Sequence, residues 1–234
     1  MDLKERNALG DQAGTHWYYV SKARMITRHF PNKPSKLLDV GAGLGWFSHW
    51  LLANGYADSA VCVDPGYDAD DTETIKGGRQ IHYVRSIRDT DADMVLLMDV
   101  LEHVDDDVAL LREYWDKAAR GTVFVITVPA FRFLWSAHDE YLDHRRRYTT
   151  KMLDRTIRAV GGTPSQLHYF FGSIFPAAAL VRLLKRNENA TQSDMKPVPT
   201  PLNALLTKVC SIEAVAMKFN KIAGLSVVAQ VIKE

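Results

Sequence analysis

Residues 135–149, WSAHDEYLDHRRRYT, are denser in polar chemistry than any other stretch of the chain. They hold His138 and His144, the acids Asp139, Glu140 and Asp143, and Arg145-Arg146-Arg147 between Tyr141 and Tyr148. An imidazole titrates near neutrality, so His138 or His144 could take a proton from an attacking group. Asp139 could orient one of them. Arg146 or Arg147 could clamp a carboxylate or phosphate. Four uses compete for this segment. A metal centre fits poorly, because the histidines are six apart, no thiolate is near, and loose His/Asp clusters lack specific geometry; no metal is assigned. A nucleic-acid contact is disfavoured because the neighbouring acids offset the arginines. A solvated loop whose charges pair among themselves, with Trp135 and Tyr148 packed inward, stays open. So does the wall of an active site, with His138, His144, Asp139, Arg146 and Tyr148 as its candidate catalytic residues.

Position decides between these uses, and position depends on the elements before the segment. Residues 38–45, LDVGAGLG, join an apolar run (36–40) to a helical pattern (46–55). Glycines in such a turn let a ligand approach the main chain, and the helix N-terminus after it favours a polar or anionic group. The dinucleotide pattern G-x-G-x-x-G needs its third glycine at position 46, where this chain has Trp46. The loop is G-x-G-x-G instead, so a nucleotide-dependent oxidoreductase is the weaker reading. Asp64 follows Gly45 by nineteen residues and ends a second apolar run (59–64). A carboxylate there can accept hydrogen bonds from both ribose hydroxyls. A turn aspartate before Pro65 is the plainer alternative.

The remaining pattern is strand–helix alternation. Residues 15–30 read as a helix with Trp17, Val20, Ala23 (or Arg24) and Thr27 on one face, followed by a break at Pro31 and Pro34. Strands are expected over 81–87, 92–100 and 122–130, and an acid-started amphipathic helix over 105–119. A polar, turn-rich segment covers 64–80. This alternation implies a doubly wound, mostly parallel α/β sheet. Later come a helix (151–162), a strand (164–173), a polar proline-bearing loop (186–201), a helix (202–224) and a last strand (225–233).

Composition narrows the class. The chain has 234 residues, 47% hydrophobic and 24% charged, which is an ordinary globular balance. Its net charge of +1 offers no global attraction to nucleic acid. Cys62 and Cys210 are far apart with no metal-type spacing, which fits a reducing compartment and argues against both a disulfide scaffold and a zinc knuckle. No secretory leader or membrane-length apolar run is visible. A cytoplasmic protein is therefore expected.

LLDVGAGLGWFS, VCVD and DMVLLMDVLEHV together resemble the successive motifs of class I S-adenosylmethionine-dependent methyltransferases. The likeness is strongest over 36–130. It implies a seven-stranded sheet whose last strand is antiparallel and inserted beside the fifth. It also implies S-adenosylmethionine as cofactor and S-adenosylhomocysteine as product. Carried over residue by residue, Asp39, Gly41, Ala42, Gly43 and Gly45 form the loop under the methionine part. Asp64 and Pro65 meet the ribose, and Ser86 and Ile87 flank the adenine. Asp99, Val100 and Leu101 lie beside the methionine and the methyl group, with Glu102 and His103 just beyond. For Glu102 and His103, helix-entry chemistry is an equal alternative. Trp17 and Tyr18 are candidates to close over the cofactor, or to pack in the core. The segment 135–149 resembles a W-S-x-H-D-x-x-x-x-H-x-R-R-Y-T signature in a bacterial subgroup of these enzymes, which implies a cap on the active site.

One domain is expected over 1–234: an N-terminal cap helix (15–35), a cofactor-binding core (36–130), a substrate lid (131–150) and a helical insertion (174–224). The expected acceptor is a small molecule, a sugar or a lipid-linked group, and no nucleic-acid partner is expected. A methyltransferase-like module without catalysis is the non-enzyme alternative. The C-terminal region is apolar enough to suggest a packed tail or a homodimer contact. A peripheral contact with the inner face of the membrane, through Lys185, Arg186, Lys208, Lys218 and Lys221, is the sharper alternative. The chain is expected as monomer or homodimer.

Overall fold

The structure is a computed structural model and describes residues 14–30, 36–184 and 196–234. Its centre is one eight-stranded sheet of order β3-β4-β2-β1-β5-β6-β8-β7. The strands are β1 (Lys36–Val40), β2 (Ser59–Val63), β3 (Asp71–Thr74), β4 (Gln80–Val84), β5 (Met94–Met98), β6 (Val123–Pro129), β7 (Pro164–Phe170) and β8 (Ser226–Ile232). β4, β2, β1, β5 and β6 run parallel. β8 lies antiparallel between β6 and β7.

The helices are α1 (Trp17–Ile26), α2 (Trp46–Ala53), α3 (Asp107–Lys117), α4 (Ala137–Tyr141), α5 (Thr150–Ala159), α6 (Phe175–Leu184) and α7 (Thr200–Ala216). They cover both faces, so the central strands are apolar on both sides. Successive residues of β5 sort into two cores. Met94, Leu96 and Met98 pack toward α1, α2 and α7, with Tyr19, Ala23, Leu51 and Cys210. Val95 and Leu97 pack toward α3 and α5, with Leu111, Trp115 and Ile157. The period-two alternation of a strand makes this division.

Three differences from the sequence reading have physical causes. The sheet has eight strands where seven were expected. The extra strand, β3, is fully exposed along its length and has no apolar alternation. It forms by antiparallel pairing with the edge of β4, aided by Thr72 Oγ1 at 3.0 Å from His82 Nδ1 and by Tyr83 donating to Glu73 at 3.0 Å. On α1, the expected face was Trp17, Val20, Ala23 (or Arg24) and Thr27. The buried set is Tyr19, Ser21, Lys22, Ala23, Met25 and Ile26. That helix packs against both α2 and α7, so it has no single narrow stripe. The helix expected over 202–224 ends earlier, at a 3-10 turn over Met217–Phe219.

The break at Pro31 and Pro34, Lys185, Arg186 and most of the expected loop 186–201 lie outside the described residues. Among the described residues no helix is long and apolar enough to cross a membrane. α6 and α7 nevertheless expose Leu180, Leu184, Leu205, Ile212 and Val215.

Candidate active site

The carboxyl ends of β1, β2, β4 and β5 converge on one edge of the sheet, where open α/β folds bind ligands. The glycine loop crosses it between β1 and α2. Gly41, Gly43 and Gly45 all have positive φ, at 63°, 53° and 64°. A Cβ on Gly41 would stand 2.9 Å from the Val100 methyls, and one on Gly45 would stand 2.8 Å from Tyr83 Cε1. Both positions therefore need glycine for backbone angle and for space. Gly41 and Ala42 donate to the Val63 carbonyl at 2.8 and 3.2 Å. This ties the loop to the end of β2.

Asp64 sits at that end. Its Oδ2 accepts from the Gly43 amide at 2.9 Å, and its Oδ1 accepts from the Gly66 amide at 2.9 Å. The carboxylate is thus fixed at the rim of the cleft beside the loop. Pro65 is exposed next to it. Tyr67 closes the other side by donating to the Gly43 carbonyl at 2.6 Å, with its ring edge-on to Tyr83. Asp39 lies beneath, buried, and accepts from Ser48 Oγ of α2 at 2.9 Å. Burial raises its carboxyl to about 6. Ala42 is buried. Ser86 is exposed and Ile87 half-buried, both just past β4. The sequence reading did not single out Tyr67. An aromatic residue three positions after a strand-ending acid was the available signal.

Beyond β5 the chain takes a strained step. Asp99 has φ 56°, in the left-handed region that side chains other than glycine rarely adopt. Its Oδ1 accepts from Thr127 Oγ1 at 3.1 Å. Its Oδ2 pairs with Lys22 of α1, and the Tyr18 hydroxyl lies 3.5 Å away. Lys22 is completely buried, with its ammonium 4.8 Å from the Tyr18 ring centre. Burial alone would neutralise both charges. The pairing outweighs it, so Lys22 is held above its ordinary value and Asp99 below its own. Tyr18 also stacks on Phe171 and Trp17 meets Phe171 edge-on. α1 is therefore anchored over this end of the sheet through Asp99 and Phe171. Lys22 was missed in the sequence because a lysine on a helix normally faces water.

Val100 stands half-buried against Gly41, and Leu101 is fully buried in the core on the α3 side. Glu102 follows in a short 3-10 turn (Leu101–His103), also fully buried. Its two carboxyl oxygens have no hydrogen-bond partner among the described residues. Burial, then the charge of Asp99, pushes its carboxyl well above the ordinary range.

The segment after β6 returns to this place. Arg145 donates its amide to the Glu102 carbonyl at 2.7 Å. His144 Nδ1 lies 2.9 Å from Asp139 Oδ1. Arg147 holds the same carboxylate with two bonds, Nε at 2.6 Å and Nη2 at 2.9 Å, and donates to the Ala130 carbonyl at 3.0 Å. Asp139 also accepts from the Ser136 amide at 2.9 Å, as part of a capping box on α4. Burial would raise this carboxyl, but His144 and Arg147 hold it well below the ordinary range. His138 is buried, its ring centre 6.5 Å from that of His144. The His103 and His144 rings meet edge to face at 4.7 Å.

The structure thus brings His138, Asp139 and His144 together, and adds Glu102 and His103 to them. Arg146 and Tyr148 turn elsewhere. Arg146 donates to the Val104 and Asp105 carbonyls at 2.8 and 2.6 Å and pairs with Asp107 at 3.3 Å. The Tyr148 hydroxyl donates to Asp107 at 2.8 Å from a fully buried ring. Both fasten the segment to the start of α3.

The comparisons fit this geometry. A family model described as a methyltransferase domain matches residues 15–188. A search of curated proteins finds no match. Among solved structures, the chain is similar to a SAM-dependent methyltransferase from Archaeoglobus fulgidus, with TM-score 0.54, 17% identity, and 92% and 93% of the two chains covered. It is also similar to a chain from a Haloferax volcanii complex between the Trm112 methyltransferase activator and a methyltransferase, with TM-score 0.56, 13% identity, and coverage of 97% and 93%. A third is phosphoethanolamine N-methyltransferase 2 of Haemonchus contortus, with TM-score 0.54 and 11% identity, where all of this chain covers 60% of the other. At these identities the structures establish a shared fold. The family model spans most of the chain, and the chain belongs to the methyltransferase-domain family, with the class I fold.

Proposed function

We propose that this methyltransferase moves the methyl group of S-adenosylmethionine to a small-molecule, sugar or lipid-linked acceptor at the wall formed by Asp99, Glu102, His103 and His144. The observation that carries the cofactor half is the pairing of loop and acid: Gly43 donates to Asp64 at 2.9 Å exactly where β2 ends at the cleft rim. The residues present fit the cofactor. Asp64 has two oxygens for a ribose diol. Val100 and Tyr83 fill the space a Cβ would need at Gly41 and Gly45, which holds the loop's tight main-chain turn beside Asp64. The α2 N-terminus has no side-chain cap, which leaves its amides to a polar group.

S-adenosylmethionine supplies an activated methyl when bound, so the chain's task is placement. Holding two reactants in line lowers a barrier by about 7–11 kcal/mol. Asp99, fixed by Lys22 and Thr127, marks the inner end of the cleft. His103 and His144, both half-buried, stand beyond it beside the buried Glu102. Asp139, held by Arg147, positions His144.

Replacing Asp64 by alanine tests the cofactor assignment. Losing a charged hydrogen-bond partner costs about 1.5–3 kcal/mol. S-adenosylhomocysteine should therefore bind about ten- to a hundredfold more weakly by calorimetry, with the fold intact by circular dichroism. Unchanged affinity would remove Asp64 from the site.

A lipid-linked acceptor would bring the protein to a membrane surface. The exposed Leu205, Ile212, Val215 and Phe219, with exposed Lys208 and Lys218 among them, support such a contact. Co-sedimentation with anionic liposomes should succeed at low salt and weaken as salt rises. A chain that stays in the supernatant at low salt rejects the membrane contact; a dimer by light scattering would assign this face to a second copy.

A further inference from the structure

The charges around the end of β5 leave one carboxyl over. Lys22 faces Asp99, and Arg147 faces Asp139, so these four cancel in two pairs. Glu102 is fully buried, and neither of its oxygens has a hydrogen-bond partner among the described residues. A buried ionised carboxylate left so costs several kcal/mol. It needs a proton or a cation.

Two imidazoles stand beside it. One ligand atom each from Glu102, His103 and His144 lie within 4.8 Å of one another. Bonds of about 2.0–2.2 Å to one ion put neighbouring ligand atoms about 3 Å apart, so modest side-chain rotation closes the set. His144 is already oriented. A carboxylate only accepts, so His144 donates its Nδ1–H to Asp139 and keeps the Nε2 lone pair to offer to an ion. Asp139 is itself fixed by Arg147 and the Ser136 amide. A carboxylate behind the second nitrogen of a histidine is the usual outer support of a metal ligand.

The geometry points to a divalent-cation site made by Glu102, His103 and His144 at the acceptor end of the cleft. The donor set is two nitrogens and one carboxylate, without thiolate. It suits zinc, iron(II), cobalt(II) or manganese(II), and leaves positions open for an exogenous oxygen. Resting on the methyltransferase reading, this assigns the acceptor to oxygen nucleophiles. A hydroxyl held by the cation loses its proton to solvent more readily. Its oxygen then forms the new O–CH₃ bond, while the S–CH₃ bond breaks with its electron pair left on sulfur. The sequence segment 135–149 could not show such a site, because two of its three ligands come from the turn after β5.

Cobalt(II) titration of metal-stripped protein tests this without any methyl donor. Wild type should take up one equivalent per chain, with a visible ligand-field absorption that zinc displaces. Glu102→Gln and His103→Ala should each weaken uptake at least tenfold. Circular dichroism and S-adenosylhomocysteine binding in the same samples establish that the variants fold. No saturable cobalt(II) or zinc uptake by wild type overturns the site, as does equal uptake by wild type and both folded variants. Cobalt(II) uptake with no binding of S-adenosylhomocysteine would support the site and count against the methyltransferase reading instead.

Discussion

Gly41, Asp64 and Glu102 each hold their place for a different reason. Gly41 needs a backbone angle and a gap that alanine cannot supply. A methyl group 2.9 Å from Val100 in the left-handed region must shift the loop or the start of the turn after β5. Gly41→Ala should therefore weaken S-adenosylhomocysteine binding and lower the unfolding midpoint together. A variant with both unchanged would show that the loop does not depend on that contact. The place of Asp64 at the end of β2, beside the glycine loop, was legible in the sequence because its spacing from that loop and the end of the apolar run are both visible there. Glu102 was not fully legible. Its spacing fitted a helix-entry acid as well as a site residue, and only three-dimensional packing buries it. Tyr148 shows the opposite limit. Its residue type suggests chemistry, but the ring is buried and its hydroxyl bonds Asp107.

At the scale of elements, α1 is joined to the cleft by the Lys22–Asp99 ion pair as well as by the packing of Tyr18 and Trp17 on Phe171. Removing one partner of such a pair leaves the other charge stranded and costs about 3–5 kcal/mol. The Asp99 side chain is 28% exposed, so the lower end applies. Lys22→Met should destabilise the protein by about 3 kcal/mol in urea unfolding. Adding Asp99→Asn should recover part of that loss, because the stranded charge is gone. A double variant less stable than the single one would contradict the pairing. The central strands and α2, α3 and α5 were readable within a few residues, since apolar period and caps agree there. The edge strand β3 was not, because its residues are all exposed and pairing with β4 is what makes it a strand. The buried face of α1 was misplaced because the helix is buried on two sides.

The whole molecule carries an acid-sensitive feature away from the cleft. His29 and His168 stack with ring centres 5.3 Å apart, both buried. Burial lowers His29 to about 4. Burial, and then the neighbouring His29, lowers His168 to about 3. The unfolded chain therefore binds more protons than the native one below the ordinary histidine value of about 6.5. The stability that these groups contribute is complete above that pH and is lost as pH falls toward 4 and then 3. Asp39 and Glu102 have raised values and act in the opposite sense, so the test is a difference. Between pH 6.5 and 4, His168→Phe should lose less stability than wild type in chemical unfolding. Parallel losses would contradict the neutral buried pair.

The central claim is that the loop at 41–45 and the acid at 64 hold S-adenosylmethionine. Calorimetric titration of the whole protein with S-adenosylhomocysteine and, separately, with NAD tests it most directly. Saturable one-to-one binding of S-adenosylhomocysteine, with no heat from NAD, is the expected result. Tight binding of NAD with none of S-adenosylhomocysteine would contradict it.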